Sequence, residues 1–307
     1  MERFVVETAV VEVDGSMGSA GSYLRLARPK QWTKNGFVLA GVVFAEKATE
    51  AFPVASALLA FLAFCALSGA VYATNDVLDV EEDRKHPIKR RRPVASGEIS
   101  PRSAMVFAAV LAAAGLALGF VVGPGVGLAG VAYLALQAVY TPVLKHTPIL
   151  DVMSISAGFV IRALAGVAAV GSPISPWLIV CTALLTLFLG FSKRRHEIAS
   201  LGDGATIHRK NLRDYSVPLL DEMMNIMISA TIIAYVLYTV FQHGNYYMMA
   251  SIPFVVYGVF RYMLLVHRNG GGNPDTLLLN DRPLQIALLL WLVVVGVVIY
   301  IIPLWNG

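Results

Sequence analysis

The chain reads as an all-α, polytopic membrane protein, and three observations point to that class. Of its 307 residues, 57% are hydrophobic, and the mean hydropathy is +0.66. Only 14% are charged, against about 25% in soluble domains. Lys and Arg are also gathered almost entirely on alternate loops between apolar runs. A soluble fold of this size has too little interior to hide so much apolar surface, whereas a bilayer accepts it on the outside of a helix bundle.

The elements follow in order. Residues 1–22 carry Glu2, Glu7, Glu12 and Asp14 among Gly and Ser. They read as a loose tail and not as a signal peptide, which needs a basic start and an apolar centre. Residues 23–307 read as a single transmembrane domain. It opens with the basic stretch Arg25–Asn35, where Trp32 marks a membrane interface and where Lys34 and Asn35 are close enough to the membrane to line a site. Nine apolar spans follow, roughly Trp32–Ala45, Pro53–Tyr72, Ser103–Val122, Val126–Tyr140, Ile149–Ala169, Trp177–Phe191, Leu219–Phe241, Met248–Val266 and Leu284–Pro303. Several fall short of the ~20 residues that cross a bilayer and must borrow flanking residues. Cys65 and Cys181 both lie inside spans, so buried, inert thiols are expected and not a disulfide framework.

Placing the N-terminus inside puts 20 of the 24 Lys and Arg residues on the loops 23–36, 73–102, 141–148, 192–218 and 267–283. By the positive-inside rule those loops are cytoplasmic. The protein is therefore expected in the cell membrane with its N-terminus and active site on the cytoplasmic side. The opposite connections are short, such as Gly123-Pro124-Gly125 and Gly171-Ser172-Pro173. A long charged loop follows both the second and the sixth span, a faint internal echo.

The most informative stretch is Asn75-Asp76-Val77-Leu78-Asp79-Val80-Glu81-Glu82-Asp83, which ends the second span and leads into Lys89-Arg90-Arg91-Arg92. On a helix, Asn75, Asp76, Asp79 and Asp83 fall at spacings of three, four and seven and share one face. Three carboxylates there repel one another unless a cation sits among them. As hard oxygen ligands Asp76, Asp79 and Asp83 suit Mg²⁺, which completes its shell with waters and substrate phosphates. The plainer account is a solvated acidic patch at a helix end. The membrane boundary and the cations that follow at once favour a Mg²⁺–diphosphate site, with Lys89 and Arg92 near the phosphates.

The second long loop opens Lys193-Arg194-Arg195-His196-Glu197 and continues His208-Arg209-Lys210 to Tyr215. Taken alone it anchors to lipid headgroups. Beside the acidic face it becomes a phosphate-binding counterpart, with Lys193, Arg194, Glu197, Arg209, Lys210 and Tyr215 as candidates. Arg162 lies in the middle of the fifth span, where a charge costs ~2.5–3.5 kcal/mol and needs a partner or a polar cavity. Asp151 is its candidate structural partner, and an anionic headgroup or diphosphate is the functional alternative. Lys145, on the short loop 141–148, is a further candidate.

These segments resemble the UbiA superfamily of intramembrane prenyltransferases. The match rests on Asn75-Asp76-x-x-Asp79-x-x-x-Asp83, that family's N-D-x-x-D-x-x-x-D motif, and runs along nearly all the chain after Ser22. The resemblance implies nine transmembrane helices around a central cavity open to the cytoplasmic side. Aromatic prenyltransferases of the family carry a second D-x-x-x-D motif in the later loop. Here Lys193-Arg194-Arg195-His196-Glu197 stands in its place. That pattern is similar to the branch that moves phosphoribose onto decaprenyl phosphate, as are Arg28–Asn35, Asp83–Pro93, Ile161–Gly166, Leu212–Tyr215 and Asn280–Gln285. The resemblance then implies a Mg²⁺-dependent transfer of 5-phosphoribose from phosphoribosyl diphosphate to a polyprenyl phosphate, feeding arabinose-containing cell-wall synthesis. Membrane lipids are the other expected partners, and no nucleic acid is. Two rivals stand beside this: an aromatic prenyltransferase using a polyprenyl diphosphate, and a transporter with Arg162 and Asp151 as pathway charges. An oligomer interface and a lipid-facing surface are equally apolar, so the oligomeric state stays open.

Overall fold

The computed structural model describes residues 18–201, 210–242, 246–268, 277 and 280–306. Among these all regular structure is helical. The main helices are α1 (Ala20–Leu26), α2 (Gly36–Phe44), α3 (Ala51–Leu78), α4 (Val80–Lys85), α5 (Pro101–Val122), α6 (Pro124–Tyr140), α7 (Leu150–Ala169), α8 (Pro176–Leu201), α9 (Val217–Phe241), α10 (Ile252–Arg268) and α11 (Arg282–Gly296). After α11 the chain continues through a π-helical turn, Val297–Ile301.

Among the described residues seven helices are long and apolar enough to cross a membrane. The two other expected spans form shorter helices. The stretch from Trp32 is divided between a 3-10 turn, Pro29–Asn35, and α2, whose nine residues reach only about 14 Å. The stretch before Tyr140 makes the 17 residues of α6.

Helix starts follow local chemistry. Ser216 accepts from the Leu219 N–H at 3.3 Å ahead of α9, and Asp281 accepts from the Leu284 N–H at 2.9 Å ahead of α11. Both are side-chain caps of orphan donors. Pro218 and Pro283 sit just inside these starts, where a missing N–H costs nothing.

The described chain forms two compact units. The first comprises residues up to Lys30 together with Ala66–Ala113. Its core is Leu26, Ala73, Val94, Ile99, Ala104 and Ala108. The second comprises Gln31–Cys65 and Ala114 onward. There α7 packs against α2, α6 and α8, and α8 packs against α9. Gly41 and Gly166 let α2 and α7 approach closely: a Cβ on Gly166 would lie 1.9 Å from the Val38 carbonyl oxygen. Small residues at such crossings replace the hydrophobic drive that lipid removes. The largest core of this unit joins α8, α9 and α10 through Phe188, Met224 and Tyr262. Cys65 and Cys181 form no disulfide, and of the two Cys65 is buried and Cys181 partly so.

Candidate functional site

In the first unit the acidic motif sits where α3 gives way to α4. Helical hydrogen bonds persist across the junction, from Asp79 N–H to Asn75 O at 2.9 Å and from Asp83 N–H to Asp79 O at 2.8 Å. Asp79 itself leaves helical geometry as the residue preceding α4. Asp76 and Asp83 are buried, at 1% and 2% exposure, while Asp79 is only partly covered. Among the described residues no three His, Cys, Asp or Glu side chains converge as a ready metal cage. Of the three expected carboxylates, Asp76 and Asp83 are thus the buried pair and Asp79 lies at the helix break.

Arginines fill the space between that pair. Arg92 Nη1 lies 2.5 Å from Asp83 Oδ2 and 3.3 Å from Asp76 Oδ1. Arg28 also pairs with Asp76 Oδ1. Its backbone adopts a left-handed φ of +51° just before Pro29, which turns the chain after α1, and its guanidinium lies 4.9 Å over the Tyr72 ring. Asp76 Oδ2 is buried with no hydrogen-bond partner among the described residues. A buried carboxylate oxygen left bare is costly. Together with the all-oxygen donor set it fits a hard divalent cation such as Mg²⁺. Lys89 is exposed on the 3-10 turn Lys89–Arg91, and Asn75 is partly buried at the end of α3. Nearby, Glu98 accepts from Ser22 Oγ at 2.7 Å and pairs with Arg25. The Ser22 hydroxyl and then Arg25 hold its carboxyl below the usual range.

In the second unit Arg194 is 1% exposed on α8. Its Nε lies 2.9 Å from Asp151 Oδ2, and its Nη1 donates to Glu197 Oε2 at 2.5 Å. Arg194 Nε and Asp151 Oδ2 meet as an ion pair and not as an aligned hydrogen bond. Tyr215 donates to Asp151 Oδ1 at 3.2 Å and accepts from the Ile149 N–H at 2.5 Å. Ile149 has φ +67°, strained for a β-branched residue; the phenol holds this turn at the start of α7. Burial pushes the Tyr215 hydroxyl up to about 12, so it stays a donor at neutral pH. Three expected phosphate-site residues, Arg194, Glu197 and Tyr215, thus form one buried network around Asp151.

Arg162 does not pair with Asp151. Its Nε donates to Asn35 Oδ1 at 2.8 Å, Nη1 to the Gly158 carbonyl at 3.0 Å, and Nη2 to the Tyr133 hydroxyl at 3.0 Å. It also lies 4.7 Å over the Tyr133 ring. The mid-membrane charge is met by protein groups and ties α7 to α6 and to the Asn35 turn. Lys34, Lys145 and Lys193 are each partly buried, on the Pro29–Asn35 turn, the Leu144–His146 turn and α8. Arg209 and the side chain of Lys210 lie outside the described residues.

The same unit holds an apolar cavity of about 780 Å³ lined by Phe37, Trp177, Phe188, Tyr235, Tyr262 and Trp291 among others. Its wall follows α8 from Trp177 to Leu189, about 18 Å along the axis. Trp291 Nε1 donates to the Tyr235 hydroxyl at 2.7 Å, which satisfies the polar edge of an otherwise greasy wall.

Sequence reading missed Arg28 as a partner of the motif, although its basic segment was noted, and considered Asp151 only beside Arg162. Spacing along one helix carries no signal for either contact.

Comparisons place the chain among known proteins. Residues 36–281 match the UbiA prenyltransferase family. The decaprenyl-phosphate phosphoribosyltransferase of Corynebacterium glutamicum is 34% identical over 296 residues, covering 93% of this chain and 89% of that protein. The Mycobacterium tuberculosis protein of the same name is 33% identical over 280 residues, covering 89% and 92%. A UbiA homolog from Archaeoglobus fulgidus, solved with DMAPP and Mg²⁺, superposes with a TM-score of 0.70 at 20% identity, covering 92% of this chain and 100% of that one.

Proposed function

The chain belongs to the UbiA prenyltransferase family, and from that premise we propose that it transfers 5-phosphoribose from phosphoribosyl diphosphate to decaprenyl phosphate, releasing diphosphate. It is a multi-pass integral membrane enzyme. The observation that carries the donor assignment is the basic end of α8. Where a prenyl-diphosphate enzyme would offer a second acidic pair, this chain has Lys193-Arg194-Arg195-His196-Glu197, and Glu197 is engaged by Arg194. A donor with a 5-phosphate needs cations there and not another metal site.

Asp76 and Asp83 would hold Mg²⁺, with Asp79 beside them at the helix break. When bound, the metal withdraws charge from the departing diphosphate. Lys89 and Arg92 would meet diphosphate oxygens. Lys193 binds the 5-phosphate, and Lys34 and Lys145 are further phosphate contacts. The acceptor phosphate is already an anion at neutral pH, so its oxygen bonds to ribose C1 without a general base while the C1–O bond to diphosphate breaks. Positive charge that develops at C1 is met by that anionic nucleophile. The buried networks of Arg162 and Arg194 position α6, α7 and α8, and the apolar cavity takes the leading part of the polyprenyl tail. Nine membrane helices, counting α2 and α6, with the N-terminus and the acidic motif cytoplasmic, complete the reading, and a role in supplying cell-wall arabinose follows from it.

The test is a donor assay on purified protein in detergent with Mg²⁺ and decaprenyl phosphate. Radiolabel from phosphoribosyl diphosphate should pass into the organic phase. Transfer from a polyprenyl diphosphate to an aromatic acid, with no such labelling, would replace this reading by the aromatic prenyltransferase.

A further inference from the structure

Asp76 and Asp83 carry two negative charges at 1% and 2% exposure. Arg28 and Arg92 carry two positive charges onto them, and Arg92 bridges both carboxylates through one nitrogen. The cluster is balanced without any outside cation. A divalent ion approaching alone meets no net attraction from these four side chains and must displace a charge-assisted hydrogen bond of 2.5 Å. The displaced guanidinium would then need a new anion, because an arginine stripped of its partners near buried carboxylates is costly. Arg92 is 26% exposed at its side chain, so it has solvent to move through. It follows Lys89, Arg90 and Arg91, and Asp76 Oδ2 stays bare beside it.

We propose that Arg92 is a tethered counter-cation that keeps free Mg²⁺ off Asp76 and Asp83 until diphosphate arrives. The diphosphate supplies the anion that draws Arg92 away, and Arg92 moves from the carboxylates to phosphate oxygens while the metal takes its place. Metal and diphosphate then bind with positive coupling, each raising the affinity of the other by one factor, as linkage requires. The inference rests on the metal reading above and adds an order to it: the metal enters with the donor and not ahead of it. Arg92 is a positioning residue in the resting enzyme and a donor contact in the loaded one.

The experiment measures Mn²⁺ binding by electron paramagnetic resonance on the whole protein in detergent, with and without inorganic diphosphate, correcting for Mn²⁺ held by diphosphate in solution. Wild type should bind Mn²⁺ weakly alone and at least tenfold more tightly with diphosphate. Arg92→Gln, which removes the charge and keeps much of the shape, should bind Mn²⁺ alone at least tenfold more tightly than wild type and lose most of the diphosphate effect. Arg92→Lys should stay near wild type in the metal-only measurement, which a merely structural loss would not produce. Equal Mn²⁺ affinity in wild type and Arg92→Gln without diphosphate would overturn the inference while leaving the metal site standing. Binding unchanged by Asp76→Asn, or absent under every condition, would overturn the metal reading and the inference with it.

Discussion

Asp151 and Arg194 meet as a buried ion pair, Nε to Oδ2 at 2.9 Å, with side-chain exposures of 0% and 2%. Glu197 and Tyr215 complete the arrangement. Asp151→Ala should therefore destabilise the protein by about 3–5 kcal/mol, because it leaves a buried guanidinium under-compensated. Tyr215→Phe should cost about 1–3 kcal/mol by stranding the Ile149 N–H. Thermal unfolding in detergent reads both, and the expected order is Asp151→Ala below Tyr215→Phe below wild type.

Asp76→Asn and Asp79→Asn should each lower turnover at least a hundredfold, on the order of 2.7 kcal/mol of transition-state stabilisation. The unfolding midpoint of Asp79→Asn should stay within a few degrees of wild type, because that side chain is only partly covered. Near-normal activity in both would refute the metal assignment.

Lys193→Ala should raise the KM for phosphoribosyl diphosphate about tenfold, the worth of roughly 1.4 kcal/mol. The KM for the lipid should stay unchanged. Steady-state kinetics with each substrate varied in turn would check the split, and an unaltered donor KM would remove Lys193 from the 5-phosphate.

In the proposed reaction the acceptor phosphate attacks ribose C1 opposite the departing diphosphate. The α-diphosphate donor should therefore yield a β-linked lipid product. Nuclear magnetic resonance of the purified product reads the anomeric configuration, and an α linkage would rule out single displacement.

Asp281 caps α11 and accepts a bidentate contact from Arg261, Nη2 to Oδ2 at 2.8 Å and Nε to Oδ1 at 3.2 Å. The Arg261 hydrogen bonds hold its carboxyl below the usual range, aided by the Leu284 N–H. A carboxyl lowered in the folded state adds stability that is present above its unfolded value, about 3.9, and is lost as pH falls through the folded one. Acid unfolding should show this: from pH 7 to pH 3 the midpoint of Asp281→Asn should fall less than that of wild type.

What local spacing carries was readable from the chain alone. Hydropathy and the placement of Lys and Arg marked the membrane class and its apolar stretches, because the bilayer imposes both on contiguous residues. The Asn75–Asp83 spacing and the cations at Lys193–Arg195 carry the chemistry proposed above, because ligand type and charge belong to the residues themselves. Partner choice did not follow from either. Arg28 reaches Asp76 across 48 residues, and Arg162 reaches Asn35 across 127. Which buried charge meets which is decided by the packing of distant helices, where a dry interior makes each unpaired polar group expensive and so selects among partners the chain keeps far apart. Tertiary structure set the phosphate candidates Arg162 and Arg194 among buried protein partners, and it placed Arg92 between two carboxylates that sequence spacing had assigned to a metal.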